Sequence, residues 1–128
     1  MIRLAFLALA ALVLFAAPAL SQTCTCTKYE SVAQFIQFND VIFKGKALSS
    51  KTEHGSTTTT FQVLERLKGE PGETVTVMHP APGTNCGGIA FKAGEVVLVV
   101  AQGMVEDLAT TGCQIKAYTE AEIRAALK

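Results

Sequence analysis

The tripeptide Cys24-Thr25-Cys26 is expected to determine how this chain folds. It holds two of the four cysteines, and the other two, Cys86 and Cys113, lie far along the sequence. The chain has 4 cysteines in 128 residues. In an exported domain of this size, four cysteines are typical of two disulfides, which would tie the start of the domain onto its body. Composition leaves three pairings open. The tripeptide is therefore expected to serve as a structural cross-link, as a binding surface for a partner, or as both.

The segment ahead of the tripeptide predicts export. Arg3 gives a positive start, and an uninterrupted apolar run follows over residues 4–17. This run is shorter than the roughly 20 residues of a membrane-spanning helix, and it fits a secretory signal peptide. Small residues favour cleavage after residue 21, with cleavage after Ala19 as the alternative. We expect a signal peptide over residues 1–21, one domain over residues 22–128, a secreted or periplasmic location, and no membrane span after cleavage.

Composition and motifs argue against several classes of function. The chain has 11 basic and 11 acidic residues, so its formal net charge is zero. It has no stripe of basic residues of the kind that binds nucleic acid, so nucleic acid is not an expected partner. No nucleophile–base pair, phosphate-binding loop or cofactor motif is evident, so we predict neither an enzyme nor a cofactor. The adjacent carboxylates of Glu106 and Asp107 are interpreted as a solvated turn rather than an acid–base pair.

Candidate metal ligands are few. His54 lies in a polar turn and His79 at a strand end before a proline, and neither has a second ligand at metal spacing. Both are predicted to be exposed histidines without a role. Zinc binding and redox chemistry by the cysteines are minor alternatives, because their spacing is unusual for zinc and no thioredoxin-like βαβ pattern is present. We therefore predict no intrinsic metal site.

Hydrophobic periodicity predicts a mainly β domain with a helix near each end. The helices are expected over residues 31–38 and from Thr119, which forms a capping box with Glu122. Gly45 predicts a bulge in the first strand. Short strands separated by Gly and Pro turns favour a five-stranded OB-type Greek-key barrel. The five strands are expected at residues 40–48, 57–67, 74–78, 96–101 and 105–110.

Three polar stretches are assigned to the surface. Residues 49–56 are interpreted as a turn, and Thr57 to Thr60 as the exposed face of a strand. The uncharged loop from Pro80 to Gly88 is either a binding rim or a tethered loop without a partner.

The order of motifs along nearly the whole expected domain resembles a known family. The motifs are Cys24-x-Cys26, Phe38-Asn-Asp40-Val-Ile-Phe-Lys-Gly45-Lys, Phe61-x-Val63 followed by Leu67-Lys68-Gly69, Cys86-Gly87, Phe91-Lys-x-Gly94-Glu95 with the strand over 96–101, and Leu108-x-Thr110-x-x-Cys113. In this order they resemble the tissue inhibitors of metalloproteinases (TIMPs), and more narrowly the bacterial-type members of the netrin-like (NTR) domain superfamily. The resemblance implies an OB-type barrel and the disulfides Cys24–Cys86 and Cys26–Cys113.

The resemblance also implies a function for the N-terminus. In animal TIMPs the first mature residue is the cysteine, and its free α-amine and carbonyl oxygen chelate the catalytic zinc of the target enzyme. The next residue enters the specificity pocket. On that pattern Cys24 would chelate zinc and Thr25 would enter the pocket of a zinc metalloprotease. Such a ligand displaces the zinc-bound water and so removes the nucleophile.

The cleavage site separates the resulting hypotheses. Cleavage after residue 21 leaves Gln22-Thr23 ahead of Cys24, whose nitrogen is then an amide and a poor zinc ligand. The first hypothesis is an exported TIMP-like metalloendopeptidase inhibitor with a disulfide-pinned N-terminus. The alternative is a non-inhibitory NTR-type module that binds a protein or ligand of the cell envelope. A third is a structural domain with no dedicated ligand. The third disulfide and the C-terminal subdomain of the animal proteins have no counterpart here.

Overall fold

The computed structural model describes residues 25–84 and 87–128. The expected signal peptide and both cysteines of the expected Cys24–Cys86 pair lie outside the described residues. Within the described ranges the helices and strands, in chain order, are α1 (Val32–Phe38), β1 (Val41–Glu53), β2 (Ser56–Lys68), β3 (Thr74–Pro80), β4 (Val96–Ala101), β5 (Leu108–Ala109), α2 (Gly112–Lys116) and α3 (Glu120–Ala126). A 3₁₀ turn over Val105–Asp107 precedes β5.

The strands form one mixed sheet in the order β4-β1-β2-β3-β5. Neighbouring strands are antiparallel, except that β5 runs parallel to β3. The prediction of a mainly β fold with five strands and short helices is confirmed. The sheet is not closed, because its outer strands β4 and β5 are linked only by an isolated bridge in which Gln102 and Ala109 exchange hydrogen bonds of 2.8 and 2.9 Å. The expected OB-type barrel is therefore not shown.

Strands β1 and β2 are longer than the sequence predicts. Residues 49–56 were expected to form a turn, but both strands continue through most of this stretch. The turn is confined to His54 and Gly55, whose φ angles are +51° and +78°. Serine and threonine hydroxyls bond across the two strands here, so the polar side chains are paired within the sheet.

The last strand is shorter than predicted. Only Leu108 and Ala109 pair with β3, and the residues before them form the 3₁₀ turn. The amide of Gly103, just before this turn, donates to the carboxylate of Asp40 at 2.7 Å. Glu106 and the following aspartate lie exposed on this turn, as predicted.

Gly45 allows β1 to coil around the aromatic core. The β1–β2 register shifts between Lys44 and Gly45, which confirms the predicted bulge. A Cβ atom at Gly45 would lie 2.7 Å from the ring of Phe43 and 3.3 Å from Cβ of Phe61. Glycine is therefore required for this close approach. The coiled β1 pairs with β2 along one edge and with β4 along the other.

The coiled sheet buries an apolar cluster on each face. The inner cluster comprises Val41, Phe43, Ala47, Phe61, Val75, Val77, Phe91, Val99, Ala101 and Leu108. The outer cluster, which lies between the sheet and the helices, comprises Phe35, Ile36, Ile42, Val100 and Ile123. Strand β4 supplies Val99 to the inner cluster and Val100 to the outer one. Its second half is thus buried on both faces, as its apolar sequence predicts.

Hydroxyl caps begin the two helices that cover the outer cluster. Ser31 and Thr119 each accept a hydrogen bond from the backbone amide three residues further on, at 3.1 and 3.2 Å. Both predicted helix starts are confirmed. In α3, Ile123 is buried, whereas Ala126 is exposed.

Candidate functional site at the N-terminal disulfide

A disulfide ties the start of the described chain to α2. Cys26 is bonded to Cys113, and their Cα atoms lie 5.4 Å apart. This is one of the two pairings that the resemblance implies, and it removes both residues as free thiolate ligands for zinc. Thr25 and Cys26 are exposed, so the cross-link holds the N-terminal segment at the surface.

Polar contacts fix the position of α2, which the sequence did not predict. Thr111 caps this single turn by accepting from the Gln114 amide at 3.3 Å. The side-chain amide of Gln114 donates to Oδ1 of Asn39 at 2.9 Å. Asn39 is fully buried, and its own side-chain nitrogen donates to the carbonyl oxygen of Phe35 at 2.7 Å. These contacts hold Cys113 in a defined position relative to α1.

Lys68, at the end of β2, binds the C-terminal end of α1. Its Nζ donates to the carbonyl oxygens of Ile36 and Asn39, at 2.7 and 2.6 Å. Carbonyls at a helix C-terminus lack partners within the helix, and a cation there also favours the negative end of the helix dipole. The last residue of β2 therefore anchors α1, and α1 in turn anchors α2.

Gly87 packs tightly against α2. The Gly112 amide donates to the carbonyl oxygen of Gly87 at 2.7 Å. A Cβ atom on Gly87 would lie only 3.0 Å from Cβ of Thr111, and its φ of +71° favours glycine independently. Gly87 and Cys26 both line the cavity that opens beside the disulfide.

This cavity opens beside the disulfide and has a volume of about 520 Å³. Its walls come from the N-terminal segment, from residues 87–88, and from α2 with the turn that follows it. The charged and aromatic side chains among its described lining are Lys28, Tyr29, Lys116 and Tyr118, and no acidic residue is included. A volume of this size is within the range that small ligands occupy in proteins. We call it the disulfide cavity.

The buried ring of Phe35 positions both tyrosines of the disulfide cavity. The ring centroids of Tyr29 and Tyr118 each lie 5.0 Å from the centroid of Phe35, which is fully buried in the outer cluster. The Tyr29 pair is edge-to-face, an arrangement that the ring quadrupoles favour. The aromatic wall of the cavity is therefore part of the core packing.

His79 is buried, so the prediction of an exposed residue is wrong. It is 2% exposed, its Nε2 lies 2.7 Å from Oγ1 of Thr59, and its ring meets Phe91 edge-on at 5.0 Å. Burial lowers the pKa of His79, and hydrogen bonds with the backbone of Pro80 and Ile89 partly oppose this effect. His54, in contrast, is exposed as predicted.

The threonine run of β2 is divided between the two faces of the sheet. Thr57 and Thr59 are 3% and 0% exposed, so the prediction of an exposed face is wrong for these two. Side chains alternate along a strand, and alternate threonines therefore face the core. The hydroxyl of Thr59 bonds with both Ser50 and His79 at 2.7 Å, which satisfies its burial.

Comparisons with known proteins do not assign a family to this chain. No model of a known protein family matches the chain, and no curated protein matches it. Within residues 25–84 and 87–128, no three His, Cys, Asp or Glu side chains converge as a metal site. In the same part of the chain, no helix has the length and apolar character needed to cross a bilayer.

Two features of this site are not evident from the sequence. An asparagine after a helical pattern indicates a helix end, but it does not reveal that Asn39 bonds with Gln114 75 positions away. The aromatic wall depends on contacts between Tyr29, Phe35 and Tyr118, which come from distant parts of the chain. Aromatic residues just after Cys26 and Cys113 are the signal that could have indicated it.

Proposed function

We propose that this chain is an exported TIMP-like domain that inhibits a metalloendopeptidase by placing its disulfide-pinned N-terminus at the catalytic zinc. The observation that carries the proposal is the Cys26–Cys113 disulfide, which holds the exposed Thr25-Cys26 segment at the surface of a packed domain. A segment ordered in advance loses less conformational entropy on binding than a flexible peptide does. Disulfides are also typical of oxidising compartments outside the cytosol, which supports export.

The proposed fold is an OB-type Greek-key barrel. Its support is the strand order β4-β1-β2-β3-β5, with β5 parallel to β3. The bridge between Gln102 and Ala109 already connects the two outer strands. Extending that bridge by a few residue pairs would complete the ring of strands.

The pairing of Cys24 with Cys86 belongs to the same proposal. It is supported by the neighbours of these residues, because Cys26 and Gly87 line one cavity. A disulfide requires Cα atoms about 4.4–6.8 Å apart, so both chain segments must come close. Two adjacent cross-links would fix the backbone atoms of Cys24 more firmly than one.

The proposed mechanism uses few atoms. The α-amine and carbonyl oxygen of Cys24 would occupy the zinc position that water normally fills, and the side chain of Thr25 would enter the neighbouring pocket. Removing the water removes the nucleophile for peptide hydrolysis. Only a mature chain that begins at Cys24 has a free amine at this position.

The test compares two forms of the refolded domain, one beginning at Cys24 and one at Gln22. Both retain all four cysteines, so the second is a matched control for the free amine. We expect the form beginning at Cys24 to inhibit zinc metalloendopeptidases of the His-Glu-x-x-His class. We expect the other form to be weaker by about two orders of magnitude, which is roughly 3 kcal/mol of binding free energy.

Two results of this comparison would contradict the proposed inhibitor function or its mechanism. Equal inhibition by both forms would exclude chelation by the Cys24 amine, and inhibition by neither would exclude the inhibitor function against that class. N-terminal sequencing of the exported protein establishes which form is produced. A mature N-terminus at Gln22 or earlier would overturn the chelation mechanism.

The second candidate function is a non-inhibitory NTR-type binding module of the cell envelope. It is favoured by the disulfide cavity and by the predicted cleavage after residue 21, which blocks the amine of Cys24. Capture of a specific envelope component, with no change in metalloprotease rates, would support this function over inhibition.

A further inference from the structure

The disulfide cavity carries positive charge that the inhibitor mechanism does not use. Lys28 and Lys116 both line it and both are exposed. Neither forms an ion pair with any acidic side chain in the described part of the chain. The described lining therefore includes two lysines and no carboxylate, in a protein whose formal net charge is zero. This arrangement favours an anion.

The cavity also offers a rigid apolar surface. Tyr29 contributes to the wall from the N-terminal segment, and Ala117 and Tyr118 contribute from the turn after α2. Packing on Phe35 fixes the rings, so a ligand would not have to order them. Aromatic faces stack well against flat apolar groups, and the two phenolic hydroxyls add further donors for an anion.

We propose that the disulfide cavity binds a small organic carboxylate with a flat apolar body. The carboxylate lies between the ammonium groups of Lys28 and Lys116, and the body packs against Tyr29 and Tyr118. The volume of about 520 Å³ is that of a small-molecule site. This binding does not depend on the Cys24 amine, so it is separable from metalloprotease inhibition.

The test is a titration of the ¹⁵N-labelled, disulfide-bonded domain beginning at Gln22, followed by amide NMR. The probe is phenylacetate, and phenylacetamide is a neutral control of nearly the same shape. Phenylacetate is expected to give saturable shifts at the amides of Gly87, Gly88, Gly112 and Ala117. Phenylacetamide is expected to bind at least about tenfold more weakly, because it lacks the charge-assisted hydrogen bonds.

Variants locate the site. K28Q/K116Q is expected to lower phenylacetate affinity about tenfold or more, and both positions are exposed, so folding is retained. The matched control is Lys46→Gln, an exposed lysine of β1 outside the cavity, which should leave the affinity unchanged.

Three outcomes would overturn the proposal. One is the absence of saturable shifts at about 10 mM phenylacetate, which corresponds to no useful affinity. Another is equal binding of phenylacetamide, which would exclude selection for an anion. The last is equal loss of affinity in the Lys46→Gln and K28Q/K116Q proteins, which would exclude this cavity as the site.

Discussion

The disulfide region and the histidine region belong to one domain but are held by different forces. The disulfide region comprises Cys26, Cys113, Gln114 and Asn39. The histidine region comprises Ser50, Thr59, His79 and Phe91. A covalent bond holds the exposed end of the first region, and hydrogen bonds connect it to the buried Asn39. Hydrogen bonds centred on the buried Thr59 and an aromatic contact between His79 and Phe91 hold the second region, which joins β1, β2 and β3.

The difference implies that both regions favour the folded state, one by acting on the unfolded chain and the other by acting on the native structure. A cross-link acts mainly by restricting the unfolded chain, whatever the local packing. A buried hydrogen bond acts in the folded state, where losing one partner leaves the other desolvated and unpaired. Removal of the disulfide should therefore change the unfolded ensemble, whereas loss of a hydroxyl in the histidine region should change the native structure.

The largest effect is expected from removing the cross-link. The C26A/C113A double substitution opens a bridge between residues 87 positions apart. The chain-entropy model gives a loss of about 4.6 kcal/mol in the free energy of unfolding. Urea unfolding should also show a larger m-value, because the released unfolded chain exposes more surface. A loss below about 1 kcal/mol would mean that the bridge does not act through the unfolded chain.

A smaller effect is expected from removing one hydroxyl of the histidine region. Thr59→Val keeps the shape of the side chain but leaves Ser50 and His79 without their shared partner. We expect a loss of about 2 kcal/mol in the free energy of unfolding, measured with urea. The matched control is Thr58→Val, which changes a partly exposed neighbour and should cost less than about 0.5 kcal/mol. Similar losses in both variants would contradict a special role for the buried hydroxyl.

The smallest effect is a pH dependence that only the histidine region should show. Burial holds the pKa of His79 below its ordinary value of 6.5. Above about pH 6.5 the imidazole is neutral in both states, so stability is full. As the pH falls below 6.5, the unfolded state binds the proton first, and stability is lost until the pH passes the folded pKa. Urea midpoints between pH 7.5 and 5.5 measure this loss.

Histidine variants provide the control for that measurement. His79→Gln removes the titrating group and should flatten the pH dependence in this range. His54→Gln alters an exposed histidine and should leave the slope of the parent protein unchanged. An identical slope in the parent and in His79→Gln would assign the pH dependence to other groups.

The sequence predicts the disulfide region better than the histidine region. Composition leaves three cysteine pairings open, and the family resemblance implies the Cys26–Cys113 pair that the structure contains. A run of threonines has the same pattern whether a strand is exposed or buried. The burial of Thr59 and His79 follows from how β2 and β3 lie against Phe91, which no local pattern encodes.

Strand boundaries show the same limit. The bulge at Gly45 and the start of α3 at Thr119 follow from local chemistry, and both are confirmed. The extension of β1 to Glu53 and the reduction of β5 to two residues depend on partners across the sheet. Local propensity gives no information about such partners.

The Cys26–Cys113 bond also determines how the domain would respond to mechanical force. All five strands lie between these two residues along the chain. Tension applied between residues 25 and 128 would pass directly from one sulfur to the other and would not load the sheet. Only the segment after Cys113, which carries most of α2 and all of α3, would extend. Under tension, the part of the domain between the two cysteines would therefore keep its folded structure, while the residues after Cys113 would unfold.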